Sequence, residues 1–91
     1  TDTIFVMLLT EAKFQTFTPK VICDAKQSTE VLVSFALESR HAVEQMVRKA
    51  VAAGGRTYAE PSDYGFMYQH GFEDLDGHIW EFLYMEPSHV N

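Results

Sequence analysis

Positive charge is scarce in this chain, cysteine is almost absent, and no hydrophobic run is long. Seven Lys and Arg stand against 13 Asp and Glu, for a formal net charge of −6. The basic residues form no stripe, and the aromatics are not interleaved with them, which argues against nucleic acid or an anionic membrane surface as partner. Cys23 is the only cysteine. One thiol excludes an internal disulfide and a thiolate metal cluster, and it points to a reducing, cytoplasmic setting. Its plain reading is a small hydrophobe in a connecting segment. No apolar run approaches the roughly 20 residues of a membrane span, and no signal-peptide pattern is visible.

What is present fits one domain. A chain of 91 residues buries only about 60–65% of its unfolded surface, so its core is small. Residues 3–10, TIFVMLLT, are β-branched, aromatic and aliphatic throughout, which predicts a strand covered on both faces. Residues 11–17 predict a helical turn with Phe14 and Phe17 on one side. Residues 18–29 are polar, contain Pro19 and show no period, and they read as a connector.

Residues 30–37 predict the next strand, with Val31, Val33, Phe35 and Leu37 on one face and Leu32, Ser34 and Ala36 on the other. Ser39 is placed to cap a helix. Val43, Met46, Val47, Ala50 and Val51 then recur at helical steps, and Gly54-Gly55 supplies the stop. Residues 56–59 predict a short strand, and residues 61–65 (Pro-Ser-Asp-Tyr-Gly) break it.

The most informative stretch is FMYQHGFEDLDGHIWEFLYM, residues 66–85. Asp76-Gly77 between two apolar runs is a hairpin signal of the two-residue type I′ kind. On the return strand His78, Trp80, Phe82 and Tyr84 face one way, while Ile79, Glu81, Leu83 and Met85 face the other. Trp80 and Phe82 should lie beneath the helix. The second face sets a single acid, Glu81, among aliphatic side chains, and an unpaired carboxylate there would be costly enough to require a partner. Tyr68, His70 and Phe72 share a face of the preceding strand, and Tyr68 and His70 are candidates to orient a polar ligand beside Glu81. Asp74 and Asp76 set turn geometry through their side chains. His78 and His41 read as surface residues, and His89 as part of a terminal tail.

The string Asp74-Leu75-Asp76-Gly77-His78-Ile79-Trp80-Glu81-Phe82 resembles the closing hairpin of the vicinal-oxygen-chelate superfamily. That superfamily contains glyoxalase I, the extradiol dioxygenases and the bleomycin-resistance proteins. Its usual form is Asp-Pro-Asp-Gly, with Glu shortly after; here Leu75 replaces the proline. The strand, the helix and Gly54-Gly55 match in order and spacing, so the resemblance covers residues 30–85. It is nearest to the bacterial branch of predicted lactoylglutathione lyases.

The resemblance implies an α+β fold: a βαβββ module with one helix on a curved mixed sheet, preceded by a strand of a partner, N-terminal module. Residues 1–91 would then be a glyoxalase-like domain lacking part of that first module. In such proteins two modules curl into a cup, and His and Glu residues in it hold a divalent metal. Glu81 matches the glutamate of that set. The histidine position, six residues before Glu38, is occupied by Leu32, which cannot ligate.

The candidate site residues are therefore Glu81, Tyr68 and His70, with Glu81 the sole metal candidate and no cofactor expected. The implied function is a glyoxalase-like protein, a lyase or isomerase, handling a small oxygenated metabolite in a cup. The alternative is a metal-free small-molecule-binding protein of the bleomycin-resistance kind. The uncovered apolar face makes a two-fold homodimer the default assembly.

Overall fold

The computed structural model describes residues 3–87; His89 lies outside them. In chain order the elements are α1 (Glu11–Gln15), β1 (Val33–Ala36), α2 (Arg40–Ala52), β2 (Ser62–Asp63), β3 (Met67–Glu73) and β4 (Ile79–Met85). From β1 onward this is a βαβββ arrangement. The strands make one four-stranded sheet in the order β1-β4-β3-β2. β1 is parallel to β4, and the other pairs are antiparallel. The α+β mixed sheet expected from the sequence is the fold observed.

Helix α2 begins where Ser39 accepts a hydrogen bond from the Ala42 amide at 3.0 Å. It ends at Ala53, beyond which Gly54 takes φ +110°, a conformation that costs other residues a Cβ clash. Its apolar stripe buries Val43 completely and Val47 nearly so. Val43, Tyr68 and Phe82 form the centre of the core, with Phe35, Leu37, Phe72, Trp80 and Tyr84 packed around them. Trp80 therefore lies on the helix side of the sheet, as its alternation with Phe82 predicts. Phe35 stacks on Phe82, and Phe72 stacks on Phe82, both at 5.9 Å between centroids.

The hairpin departs from the expected two-residue turn. Asp74 N donates to His78 O, and Gly77 N donates to Asp74 O. Within the loop only Gly77 is left-handed, at φ +94°, and no non-glycine residue among the described ones has positive φ. These features define a three-residue loop, a turn closed by a left-handed glycine, rather than type I′. The extra residue pairs Gly71 with Glu81 and His70 with Phe82.

Three segments differ from expectation. Among the described residues, 3–10 join no strand, and Phe5 is 83% exposed. Apolar, β-branched composition suits a half-buried pleated surface but does not by itself supply the cross-strand packing that stabilises one. Strand β1 is shorter than residues 30–37, although Leu37 N extends the ladder to Leu83 O. Residues 56–59 reduce to a single bridge, Arg56 to Glu73. Edge pairing resumes at Ser62 and Asp63, within the stretch expected to be a breaker. Pro61 precedes the paired residues and so removes no ladder donor.

Candidate functional site

Glu81 lies on the sheet face away from α2. Parallel pairing sets Ser34 beside it on β1, and antiparallel pairing sets Gly71 opposite it on β3. Gln69, two residues before Gly71, faces the same way. The carboxylate is half-buried and accepts three hydrogen bonds from uncharged groups. Ser34 Oγ donates to Oε1 at 3.0 Å, Gln69 Nε2 donates to Oε2 at 2.7 Å, and the Tyr58 hydroxyl donates to Oε2 at 3.4 Å. Among the described residues no Lys or Arg forms an ion pair with it. The partner that burial demands is thus a set of neutral donors.

Tyr58 reaches Glu81 because of local irregularity. Residues 57–61 oppose only residues 70–72 of β3, so the edge chain bulges by two residues. The bulge turns the phenol over Gly71. A Cβ at Gly71 would sit 2.6 Å from the Tyr58 hydroxyl and 2.6 Å from Trp80 O. Partial burial, followed by the negative charge of Glu81, holds the Tyr58 hydroxyl above its ordinary pKa of 10.0. It therefore remains a donor across the neutral range.

Tyr58, Glu60, Gln69, Gly71 and Glu81 are among the residues lining a cavity of about 110 Å³ on this face. Among the described residues no Lys or Arg lines it. Arg40 is paired with Asp63 at 2.7 Å and Arg56 with Glu73 at 3.3 Å.

The structure does not bring Tyr68 to Glu81. Tyr68 pairs with Tyr84 and lies in the core on the helix side. There the Arg40 guanidinium sits 5.2 Å from its ring centroid. His70 pairs with Phe82 and so shares that side. Its Nε2 lies 3.2 Å from Ala59 O at the sheet edge, and the residue borders the cavity. A carbonyl can only accept, so this bond requires the proton on Nε2.

Leu32 precedes β1 and is 51% exposed. The neighbours of Glu81 are a hydroxyl, an amide and a phenol, a poor match to the histidine-rich donor set of a transition metal. Among the described residues, no three or more His, Cys, Asp or Glu side chains are grouped to hold a metal ion.

Sequence alternation singled out Glu81 but not Tyr58, Gln69 or Ser34 as its partners. Ser34 and Gln69 are found once the register is known. Tyr58 carries no periodic signal, because it lies in a bulge.

No protein-family profile matches the chain, and no curated protein sequence matches it. Solved structures do. The hypothetical protein SA1046 from S. aureus aligns at 36% identity and a TM-score of 0.57, over 64% of this chain and 51% of that one. A glyoxalase/bleomycin resistance protein/dioxygenase from Nocardioides aligns at 21% identity and a TM-score of 0.60, over 82% of this chain and 50% of that one. The chain thus spans about half the length of each. Its fold is of the glyoxalase/bleomycin-resistance type.

Proposed function

We propose that this chain supplies one wall of a cup that binds a small oxygenated metabolite, in the manner of glyoxalase-like proteins. The observation that carries the reading is Glu81: a carboxylate at a cavity on the open sheet face, held in place by Ser34, Gln69 and Tyr58. A carboxylate offers about four acceptor sites, and three are occupied here. The fourth is open to a ligand. In a lyase or isomerase that open position would let Glu81 take a proton from carbon next to a carbonyl. The lactoylglutathione lyase branch is one such assignment.

A second reading is a metal-free binding protein, and Leu32 together with the neutral partners of Glu81 favours it. Either way, the residues around Glu81 do not suit a metal, and no step is routed through one. The exposed apolar segment of residues 3–10 supports a homodimer or a sister module as the rest of the cup.

The test is a panel of small hydroxy and keto compounds in D2O, followed by NMR. The reading expects at least one to bind the native protein and to lose affinity in Glu81→Gln. Deuterium entering beside a carbonyl, lost in the same variant, marks a lyase or isomerase. Binding without exchange marks a binding protein. A panel with no ligand refutes both.

A further inference from the structure

We propose that the Glu81 site selects a ligand carrying a protonated amine, and that Tyr58 is a specificity-determining contact. This rests on the cup being a small-molecule site, and it narrows the ligand class. The argument is an inventory of hydrogens. Ser34 and Tyr58 each have one hydroxyl hydrogen, and both are donated to Glu81. Gln69 commits one of its two amide hydrogens in the same way.

With those donors turned inward, the cluster shows a ligand mainly lone pairs. These are the Tyr58 hydroxyl oxygen, the Gln69 carbonyl oxygen, the Glu60 carboxylate and the open acceptor position on Glu81, beside the second Gln69 amide hydrogen and the Ser62 hydroxyl. A ligand that brings acceptors and negative charge, such as a carboxylate or phosphate, meets mostly acceptors and two carboxylates. A ligand that brings N–H groups meets complementary ones.

Charge points the same way. Among the described residues neither Glu81 nor Glu60 at the cavity margin has a basic ion-pair partner, and Arg40 and Arg56 are engaged by Asp63 and Glu73. An ammonium group offers three donors and one positive charge, which satisfies both the lone pairs and the net charge. The volume, about 110 Å³, admits a short amino compound rather than a bulky one.

Tyr58 sets the selectivity because its contact to Glu81 is the longest of the three, at 3.4 Å. Its phenol is the partner nearest to release. The glycine at position 71 is what allows it to stand there.

Three probes of nearly equal size decide the matter: ethanolamine, ethylene glycol and glycolate, each titrated into the intact protein. Binding is followed by the NMR shifts of the Gln69 side-chain amide. Ethanolamine should bind most tightly, and glycolate should give no saturable shift. Glu81→Gln retains the shape and removes the charge, and it should weaken ethanolamine by about tenfold, the scale of one charge-assisted hydrogen bond. Tyr58→Phe should narrow the preference for ethanolamine over ethylene glycol while circular dichroism remains native.

Glycolate or ethylene glycol binding as tightly as ethanolamine overturns the inference but leaves the small-molecule cup standing. Ethanolamine binding unaffected by Glu81→Gln overturns it as well. So does a flat titration with all three probes. If the wider hydroxy and keto panel also fails, the cup reading fails with it.

Discussion

Trp80 Nε1 donates to Asp74 Oδ2 at 2.8 Å, which fastens the hairpin loop to the aromatic core. The other oxygen of Asp74 accepts from the Asp76 and His78 amides, each at 2.9 Å. One carboxylate therefore shapes the loop and anchors the indole. Removing it in Asp74→Ala should cost roughly 2–3 kcal/mol, the scale of hydrogen bonds to a charged acceptor. Trp80→Phe should cost less, and a double-mutant cycle in urea should show coupling between the two sites.

The same residue predicts a pH dependence. Partial burial raises the Asp74 pKa, but the Trp80 bond and the His78 and Asp76 amides outweigh it, and the net effect lowers the pKa from its ordinary 3.8. The folded value is thus below the unfolded one. Asp74's contribution is complete above the ordinary carboxylate range and is lost as pH falls through the lowered value. Acid unfolding curves of the native protein should steepen below pH 3.8 relative to those of Asp74→Asn.

Asp63 provides a direct titration. Arg40 contacts both of its oxygens, at 2.7 and 2.9 Å, and the Gly65 amide adds a third bond. The Arg40 hydrogen bonds, followed by the Gly65 amide, hold its pKa at about 2. Carboxyl NMR should find that value, and in Arg40→Ala it should rise toward 3.8. The linked stability is present above the ordinary value and is lost as pH falls through about 2. Salt should weaken the effect, because the pair is open to solvent.

Gly71→Ala should be poorly tolerated. The new methyl would meet the Tyr58 hydroxyl and Trp80 O, each 2.6 Å away. A phenol can swing aside, but a backbone carbonyl within a strand pair cannot. The expected cost is about 1–3 kcal/mol, the range for overpacking. Tyr58→Ala in the same chain should recover only part of it by thermal melting, because the clash with Trp80 O persists.

The sequence was legible where a period repeats. The stripe Val43, Met46, Val47 and Ala50, and the alternation of Trp80 and Phe82 against Glu81, determined the helix, the last strand and the buried face. Turn chemistry was legible in kind but not in length. A two-residue turn at Asp76-Gly77 would pair Phe72 with Glu81 and carry Tyr68 and His70 to the open face. The observed loop has one residue more, so Gly71 pairs with Glu81 and the faces of β3 exchange. That one-residue difference explains why Tyr68 lies in the core and why Gln69 meets Glu81. Tyr58 could not be found in this way, because a bulge has no period. Residues 3–10 looked like a strand because composition records β-propensity but not the cross-strand packing on which a strand depends.

The chemistry around Glu81 makes an expectation about metals. Purified protein should retain no stoichiometric transition metal through dialysis, and a chelator should leave its melting temperature unchanged. A ligand that binds only the folded state raises stability by RT ln(1 + [L]/Kd), so even a modest site would register. One tightly held equivalent would show that residues beyond Ser34, Gln69 and Tyr58 complete a ligand set with Glu81.

The final prediction concerns residues 3–10. Phe5, Met7 and Leu8 are more exposed than any residue of the βαβββ unit named in the core. Leu8 borders an apolar groove with Met46, Ala50, Phe72 and Leu75, while Phe5 and Met7 stand out as 83% and 78% exposed. Two effects should therefore separate. Replacing Phe5 and Met7 with Ser should change folding stability by no more than about 0.5 kcal/mol, as for surface positions. The same change removes apolar area worth roughly 1.5–3 kcal/mol per side chain when covered, so it should weaken a homodimer that covers the segment. Sedimentation of the native protein should show a dimer and that of the variant more monomer, with melting nearly unchanged at low concentration. A native protein that sediments as a monomer would rule out the homodimer. A variant monomer several kcal/mol less stable would show that the segment packs within its own fold.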